Sequence, residues 1–246
     1  SNLLIRDGGI PGVVIKLGKP FSDIVFLEET LRIGSAVLNS QAAKAALNAK
    51  RRGLEFLSGI PGTIGGGLRM NAGSYGTEFK DVLIEAEVID SRGQLHVIAA
   101  NELGMGYRHC EIDENWIFLS ALFKAPSSEL VDIKVKMEAI QRQREKSQPI
   151  KEKTGGSTFA NPTGYKAWKL IDDAGCRGKY FGAAKISEKH CNFLINTGNA
   201  KAHDLETLGE FVRQRVLETS GIKLNWEIRR VGVTEKNISP YLGEKK

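Results

Sequence analysis

The rhythm of apolar and polar positions changes several times along the chain. At the N terminus, LLIRDGGIPGVVIKL sets two apolar runs around Gly-Gly and Pro-Gly, predicting two short strands with a turn region between them. SAVLNSQAAKAALNAKRRG has the alanine and leucine content of a helix, with Gly53 placed to end it. Periodicity is then lost through SGIPGTIGGGLRMNAGSYG. From Asp81, VLIEAEVIDSRGQLHVIAA reads as a hairpin that turns at Ser91 to Gln94, and WIFLSALFKA from Trp116 adds a strand.

After Pro126, Ser127 or Ser128 caps a helix in which Leu130, Ile133, Met137 and Ile140 recur at spacings of three and four, facing one way. This helix ends before Pro149 and reads as a hinge between two domains, 1–126 and 127–246. A second glycine cluster, TGGSTFANP, precedes a helix from Tyr165 to Ala174 and a strand at HCNFLINTG. Asp204 stands as the cap of a helix running through Leu205, Leu208 and Val212 to Gly221. In the last run, Ile222, Leu224, Trp226 and Ile228 alternate with Lys223, Asn225, Glu227 and Arg229, the period of a strand. Strands and helices mixed without strict alternation predict an α+β fold.

Composition narrows the class. With 41% hydrophobic and 26% charged residues over 246 positions, a disordered chain is excluded. The balance of 35 basic against 29 acidic residues is spread along the sequence, so it suits a phosphate-bearing small ligand as well as nucleic acid. No run approaches the roughly 18 apolar residues of a membrane span. The N terminus lacks a basic start followed by an apolar core, so a cytoplasmic protein is expected. Cys110, Cys176 and Cys191 are odd in number and form no CxxC pair, which points to a reducing compartment. The dipeptides His109-Cys110 and His190-Cys191 read as packing and no metal is expected, because adjacent residues do not easily reach one ion together.

The candidate chemistry starts with Gly59, Gly62, Gly65, Gly66, Gly67, Gly73 and Gly76. Glycines let successive backbone N–H groups approach an anion, as for a phosphate or pyrophosphate, although the spacing matches neither the GxGxxG nor the Walker pattern. The alternative is a tortuous structural loop; Arg69 and Asn71 weigh toward a polar ligand. Ser157, in Gly155-Gly156-Ser157, is either a helix cap or a proton donor. No GxSxG elbow exists to make it a hydrolase nucleophile. Arg108 and Arg144 are candidate anion partners or solvated surface charges, and Glu227 is either a solvent-facing carboxylate or a placed acid.

In this order, SNLLIRDGG, SGIPGTIGGGLRMNAGSYG, Tyr107-Arg108, GGSTFANP, KLIDDAG, SEKHCNFLINTGNA and GIKLNWEIRRVG resemble the UDP-N-acetylenolpyruvoylglucosamine reductase (MurB) family over nearly the whole chain. The resemblance implies an FAD-binding α+β domain of the vanillyl-alcohol-oxidase type and a smaller C-terminal α+β substrate domain. It implies a cycle in which NADPH reduces FAD and a hydride then reduces the enolpyruvyl group of UDP-N-acetylglucosamine enolpyruvate, giving UDP-N-acetylmuramate for peptidoglycan. Ser157 is implied as the acid, with Arg108 and Glu227 on the substrate carboxylate. Ser58, Gly59, Pro61, Gly62 and Thr63, with Ile64, Gly65, Asn71, Ala72 and Gly73, are implied to line FAD. Tyr107, Arg144, Asn161, Tyr165, Lys166 and His190 are implied near the substrate, and a structural role for His190 and Asn192 stays open.

The span from Arg108 to Ser157 leaves no room for the tyrosine-bearing insert of one branch, so the chain resembles the loopless type II branch. The family's segment before SNLL, which helps hold the FAD pyrophosphate, is expected to be missing here. Two other readings remain: a non-catalytic nucleotide-sugar-binding fragment, or another FAD oxidoreductase. A monomer is expected, with a small-molecule substrate and neither nucleic acid nor membrane as partner.

Overall fold

The computed structural model describes residues 2–235; Ser1, which opens the SNLL motif, lies outside them. In chain order the elements begin with β1 (Leu3–Ile5), β2 (Ile24–Phe26), β3 (Thr30–Gly34), α1 (Asn39–Asn48), α2 (Ile64–Arg69), β4 (Gly73–Ser74), β5 (Thr77–Glu78) and α3 (Phe79–Val82). Then come β6 (Leu83–Ile89), β7 (Leu95–Ala99), β8 (Ile117–Lys124), α4 (Leu130–Ser147), β9 (Lys153–Ser157) and α5 (Ala167–Asp173). The last are β10 (Tyr180–Phe181), β11 (Ala184–Ile186), β12 (Phe193–Asn196), α6 (Ala202–Ser220) and β13 (Arg229–Val231). This is the expected α+β class, in two units.

One unit is Lys16–Arg144. Its five-stranded antiparallel sheet has the order β2-β3-β8-β6-β7. Leu31 and Ile33 of β3, Ala86 and Val88 of β6, and Ala121 and Phe123 of β8 point into one core with Ala42, Ala43 and Ala46 of α1. Alternation along each strand puts every second residue on that face, which is why the β6–β7 hairpin and β8 were legible from pattern. Asp90 closes the hairpin by accepting from the N–H groups of Arg92 and Gln94.

The other unit joins the segment up to Ile15 with the chain from Glu145 onward. Its sheet has the order β10-β11-β12-β9, and α5 and α6 bury Leu170, Ile171, Leu208, Val212 and Val216 with Ala184, Ile186 and Leu194. The division therefore falls at 144/145 rather than at 126/127, and the N-terminal residues group with the C-terminal ones. The physical reason is long-range pairing: β1 runs parallel to β13 (Leu3↔Arg229 to Ile5↔Val231), and Arg6 forms a fork with Glu206 of α6.

Several local expectations change. Val13–Lys16 forms no strand. Helix α1 ends at Asn48, with Lys50 turning left-handed (φ 55°) ahead of Gly53. Within α4, Ile133 is buried while Leu130 is exposed. Asp204 does not cap α6: the helix starts at Ala202, because Asp7 accepts from the N–H groups of Ala202 and His203 at 2.8 and 2.9 Å. Gly221 does end α6, in the left-handed region. Of the run 222–232, only Arg229–Val231 is strand; Leu224 is buried in the α6 core and Trp226 bridges to Phe159.

Candidate active site

In the unit Lys16–Arg144, the glycine-rich segment is pinned to the chain that follows β3. Ile64 and Gly65 donate to the carbonyls of Val37 and Ser35 at 2.9 and 3.0 Å, and Asn39 donates to Gly62 O at 2.9 Å. Thr63 caps α2, its Oγ1 accepting from Gly66 N, and Ser58 Oγ turns back onto Glu55 O at 2.7 Å. Beside this segment lie buried polar atoms with no hydrogen-bond partner: Ser35 Oγ and both side-chain amide atoms of Asn39. Sequence reading missed both residues; a polar residue directly after a strand and another opening a helix were the only signals.

The side chains of Asn71 and Arg69 are both tied to neighbouring groups of the same unit. Asn71 is fully buried; its Nδ2 donates to Glu78 Oε2 and Gly106 O at 3.0 and 2.8 Å, and its Oδ1 accepts from Lys80 N. Its carboxamide thus spends its groups on holding the next turn in place. Arg69 donates to the carbonyls of Ile112, Asp113 and Trp116 and lies over the Phe118 ring, so its charge organises the loop ahead of β8.

The turn that Asn71 holds carries Tyr107 and Arg108. Gly106 and His109 exchange backbone bonds at 3.0 and 3.2 Å around them, and Arg108 sits at φ 54°. A left-handed arginine costs about 1 kcal/mol or more and persists only where its surroundings enforce it. Here Arg108 Nη2 reaches Gly73 O at 3.4 Å and its guanidinium lies 5.0 Å from the Tyr107 ring centroid. Tyr75, unremarked in the sequence, is also left-handed (φ 52°); burial raises the pKa of its phenol, with the charge of Arg144 acting in the opposite direction.

In the other unit, Ser157 ends β9 opposite Phe193. Gly156 before it has φ 96°, a conformation that glycine alone adopts freely. The next residue, Thr158, is buried, and its carbonyl accepts from the N–H groups of Glu227 and Ile228 at 2.8 and 3.3 Å. That pairing brings the backbones of the serine and of the glutamate together from 70 positions apart in sequence. Asn192, buried, exchanges two bonds with the backbone of Phe159 and so staples the same segment. Asn161 Oδ1 accepts from Ala167 N at 2.9 Å at the start of α5, while Tyr165 and Lys166 are exposed just ahead of that helix. His190 packs against Phe193 and Trp168; burial lowers its pKa, and its Nδ1 is buried without a partner. Among the described residues no group of three His, Cys, Asp or Glu is placed to hold a metal, and no helix is long and apolar enough to cross a membrane.

Comparison with known proteins adds a second line of evidence. Residues 148–231 match the family described as UDP-N-acetylenolpyruvoylglucosamine reductase, C-terminal domain, and residues 1–99 match an FAD binding domain family. The UDP-N-acetylenolpyruvoylglucosamine reductase of Paramagnetospirillum magneticum is 57% identical over 95% of this chain and 76% of its own length. That of Rhodospirillum rubrum is 52% identical over 97% and 76%. The crystal structure of UDP-N-acetylenolpyruvylglucosamine reductase (MurB) from Thermus caldophilus superimposes with a TM-score of 0.83 at 35% identity, covering 94% of this chain and 82% of that one.

Proposed function

This chain belongs to the UDP-N-acetylenolpyruvoylglucosamine reductase family, and we propose that it reduces UDP-N-acetylglucosamine enolpyruvate to UDP-N-acetylmuramate for peptidoglycan synthesis, using FAD and NADPH. When bound, FAD supplies the hydride chemistry that no side chain carries. The residues present fit such a group. Gly62–Gly65 runs beside the unpartnered Ser35 Oγ and Asn39 carboxamide, which offer a donor-acceptor set to a polar ligand. Pro61, Gly62, Thr63, Ile64 and Gly65 would hold it, with Ser58, Gly59, Ala72 and Gly73 shaping the loop.

The side chains then divide the work on the enolpyruvyl ether. Ser157 Oγ gives its proton to the carbon bearing the ether oxygen once hydride has reached the terminal vinyl carbon. Arg108 binds the substrate carboxylate and stabilises the negative charge that grows there, and Glu227 completes the polar contacts to it. Two bare carboxylates in contact are costly, so Glu227 acts protonated or beside a guanidinium. Lys166, Tyr165, Asn161, Tyr107, Arg144 and His190 are assigned to the sugar nucleotide.

The observation that carries this reading is the Thr158 carbonyl accepting from Glu227 and Ile228, which supports Ser157 and Glu227 acting on one substrate. An anaerobic absorbance titration tests it. The FAD-loaded chain should bleach on adding NADPH and regain its yellow colour on adding the enolpyruvyl substrate. Bleaching without recovery would leave a flavin oxidoreductase of other specificity, and a colourless chain a nucleotide-sugar-binding fragment.

A further inference from the structure

Ser157 and Glu227 sit on two segments joined on the C-terminal side of Ser157, where the Thr158 carbonyl accepts from Glu227 and Ile228 and the Asn225 carbonyl accepts from Ala160 N. On the N-terminal side the backbone is soft. Gly156 has φ 96° with nothing within 4 Å of the place a Cβ would take, and the β9–β12 register shifts between Phe193 and Ile195. Gly155 packs against the Ile228 side chain there, a contact with no directional bond of its own.

Asn2 closes that gap. Its backbone N–H donates to Gly155 O at 3.3 Å, its side-chain Nδ2 donates to Glu227 O at 3.2 Å, and its carbonyl accepts from Arg229 N at 3.0 Å. Three polar groups of one residue thus tie the segment just before Ser157 to both sides of Ile228. Asn2 is left-handed, at φ 62°, and asparagine is one of the few residues other than glycine that adopt this conformation readily. Immediately afterwards Leu3 pairs with Arg229 and begins the parallel β1–β13 ladder, which anchors the clamp.

The far side of the glutamate is braced as well. Trp226 packs on Phe159 at 5.0 Å, donates from Nε1 to Glu210 Oε1 at 2.8 Å, and lies under the Arg230 guanidinium at 4.4 Å. A methyl group at Gly209 would lie 2.2 Å from the Trp226 ring, so this close fit depends on glycine. With Trp226 braced on that side, the bonds of Asn2 add directional ties on the other.

We infer that Asn2 is a positioning residue that sets Ser157 against Glu227 without touching substrate; this rests on the roles proposed above for those two side chains. A misplacement of about 1 Å at a reacting group costs on the order of 100-fold in rate, so a loosened clamp should be readable in the half-reaction that needs the proton.

The test uses Asn2→Gly, which keeps the left-handed backbone and both main-chain bonds, and Asn2→Asp, which keeps the shape but turns the donor to Glu227 O into an acceptor. In the FAD-loaded chain, NADPH should bleach the flavin at the wild-type rate in both. Reoxidation by the enolpyruvyl substrate should slow about tenfold in Asn2→Gly and further in Asn2→Asp, with a larger solvent deuterium isotope effect. Independently of activity, hydrogen exchange in residues 155–159 and 226–230 should quicken while α6 keeps its protection. Equal slowing of both half-reactions, or unchanged exchange in those two stretches, would overturn the inference. Ser157→Ala run alongside separates the two claims. Wild-type reoxidation in that variant refutes the acid assignment whatever Asn2 does, and exchange still decides whether Asn2 couples the segments.

Discussion

A methyl group added at Gly67 would lie 2.2 Å from the Phe79 ring, and at Gly73 2.6 Å from Glu78 Cγ; at Gly156 it would meet nothing within 4 Å. Gly67 and Gly73 are thus demanded by close packing, whereas Gly156, like Gly62 and Gly76, is demanded by a positive φ. As sequence the first cluster reads as an anion site or a tortuous loop, and the second as the setting of a helix cap or proton donor. In the fold, the first packs tightly at Gly67 and Gly73 beside the unpartnered Ser35 and Asn39, and the second is a left-handed turn just ahead of Ser157. Glycine count marks where side chains are excluded; it does not say whether a ligand or a neighbouring ring excludes them.

Substitutions sharpen that contrast. Gly67→Ala should be the most damaging to stability, about 1–3 kcal/mol, because Phe79 is fully buried and its ring cannot retreat without disturbing Phe56 and Phe123. Gly156→Ala should cost about 1 kcal/mol through backbone strain alone. Urea midpoints at constant slope measure both, and a larger loss at Gly156 would break the comparison. Arg108→Gly should gain a few tenths of a kcal/mol by relieving φ 54° while losing affinity for the substrate carboxylate, a split that thermal melts and KM read separately.

The smallest effect concerns pH. Burial holds the His190 imidazole below its ordinary value of 6.5, so the unfolded chain takes up the proton more readily than the folded one. Stability should therefore fall as pH drops through that value, and His190→Gln should flatten the slope of urea midpoint against pH. An unchanged slope would remove His190 as its source.

How much was legible follows from the range of the interactions. The β6–β7 hairpin, β8, α4 and α6 declare themselves by local period, and the bonds of the hairpin and of the two helices close between near neighbours in sequence. The start of α6 did not, because its cap is Asp7, 195 residues away in sequence, and the Asp204 that imitates a cap is its third residue. Strands β10 and β11 are two and three residues long, too short for any period to show. The run 222–228 alternates like a strand, yet its partners are the α6 core and Phe159. At the site, Ser157, Arg108 and Glu227 stood out as candidates in the sequence, and their roles came from family resemblance. What no local pattern could supply was the purpose of Asn71, whose carboxamide holds the turn that carries Arg108.

The most direct test of the account is anaerobic single-turnover kinetics of Ser157→Ala, with the two half-reactions followed separately by flavin absorbance. Reduction by NADPH should proceed as in the wild type, while reoxidation by UDP-N-acetylglucosamine enolpyruvate should slow by about 10²–10⁴-fold, the usual contribution of a positioned general acid. Reoxidation at the wild-type rate, or equal loss in both halves, would contradict Ser157 as the proton donor.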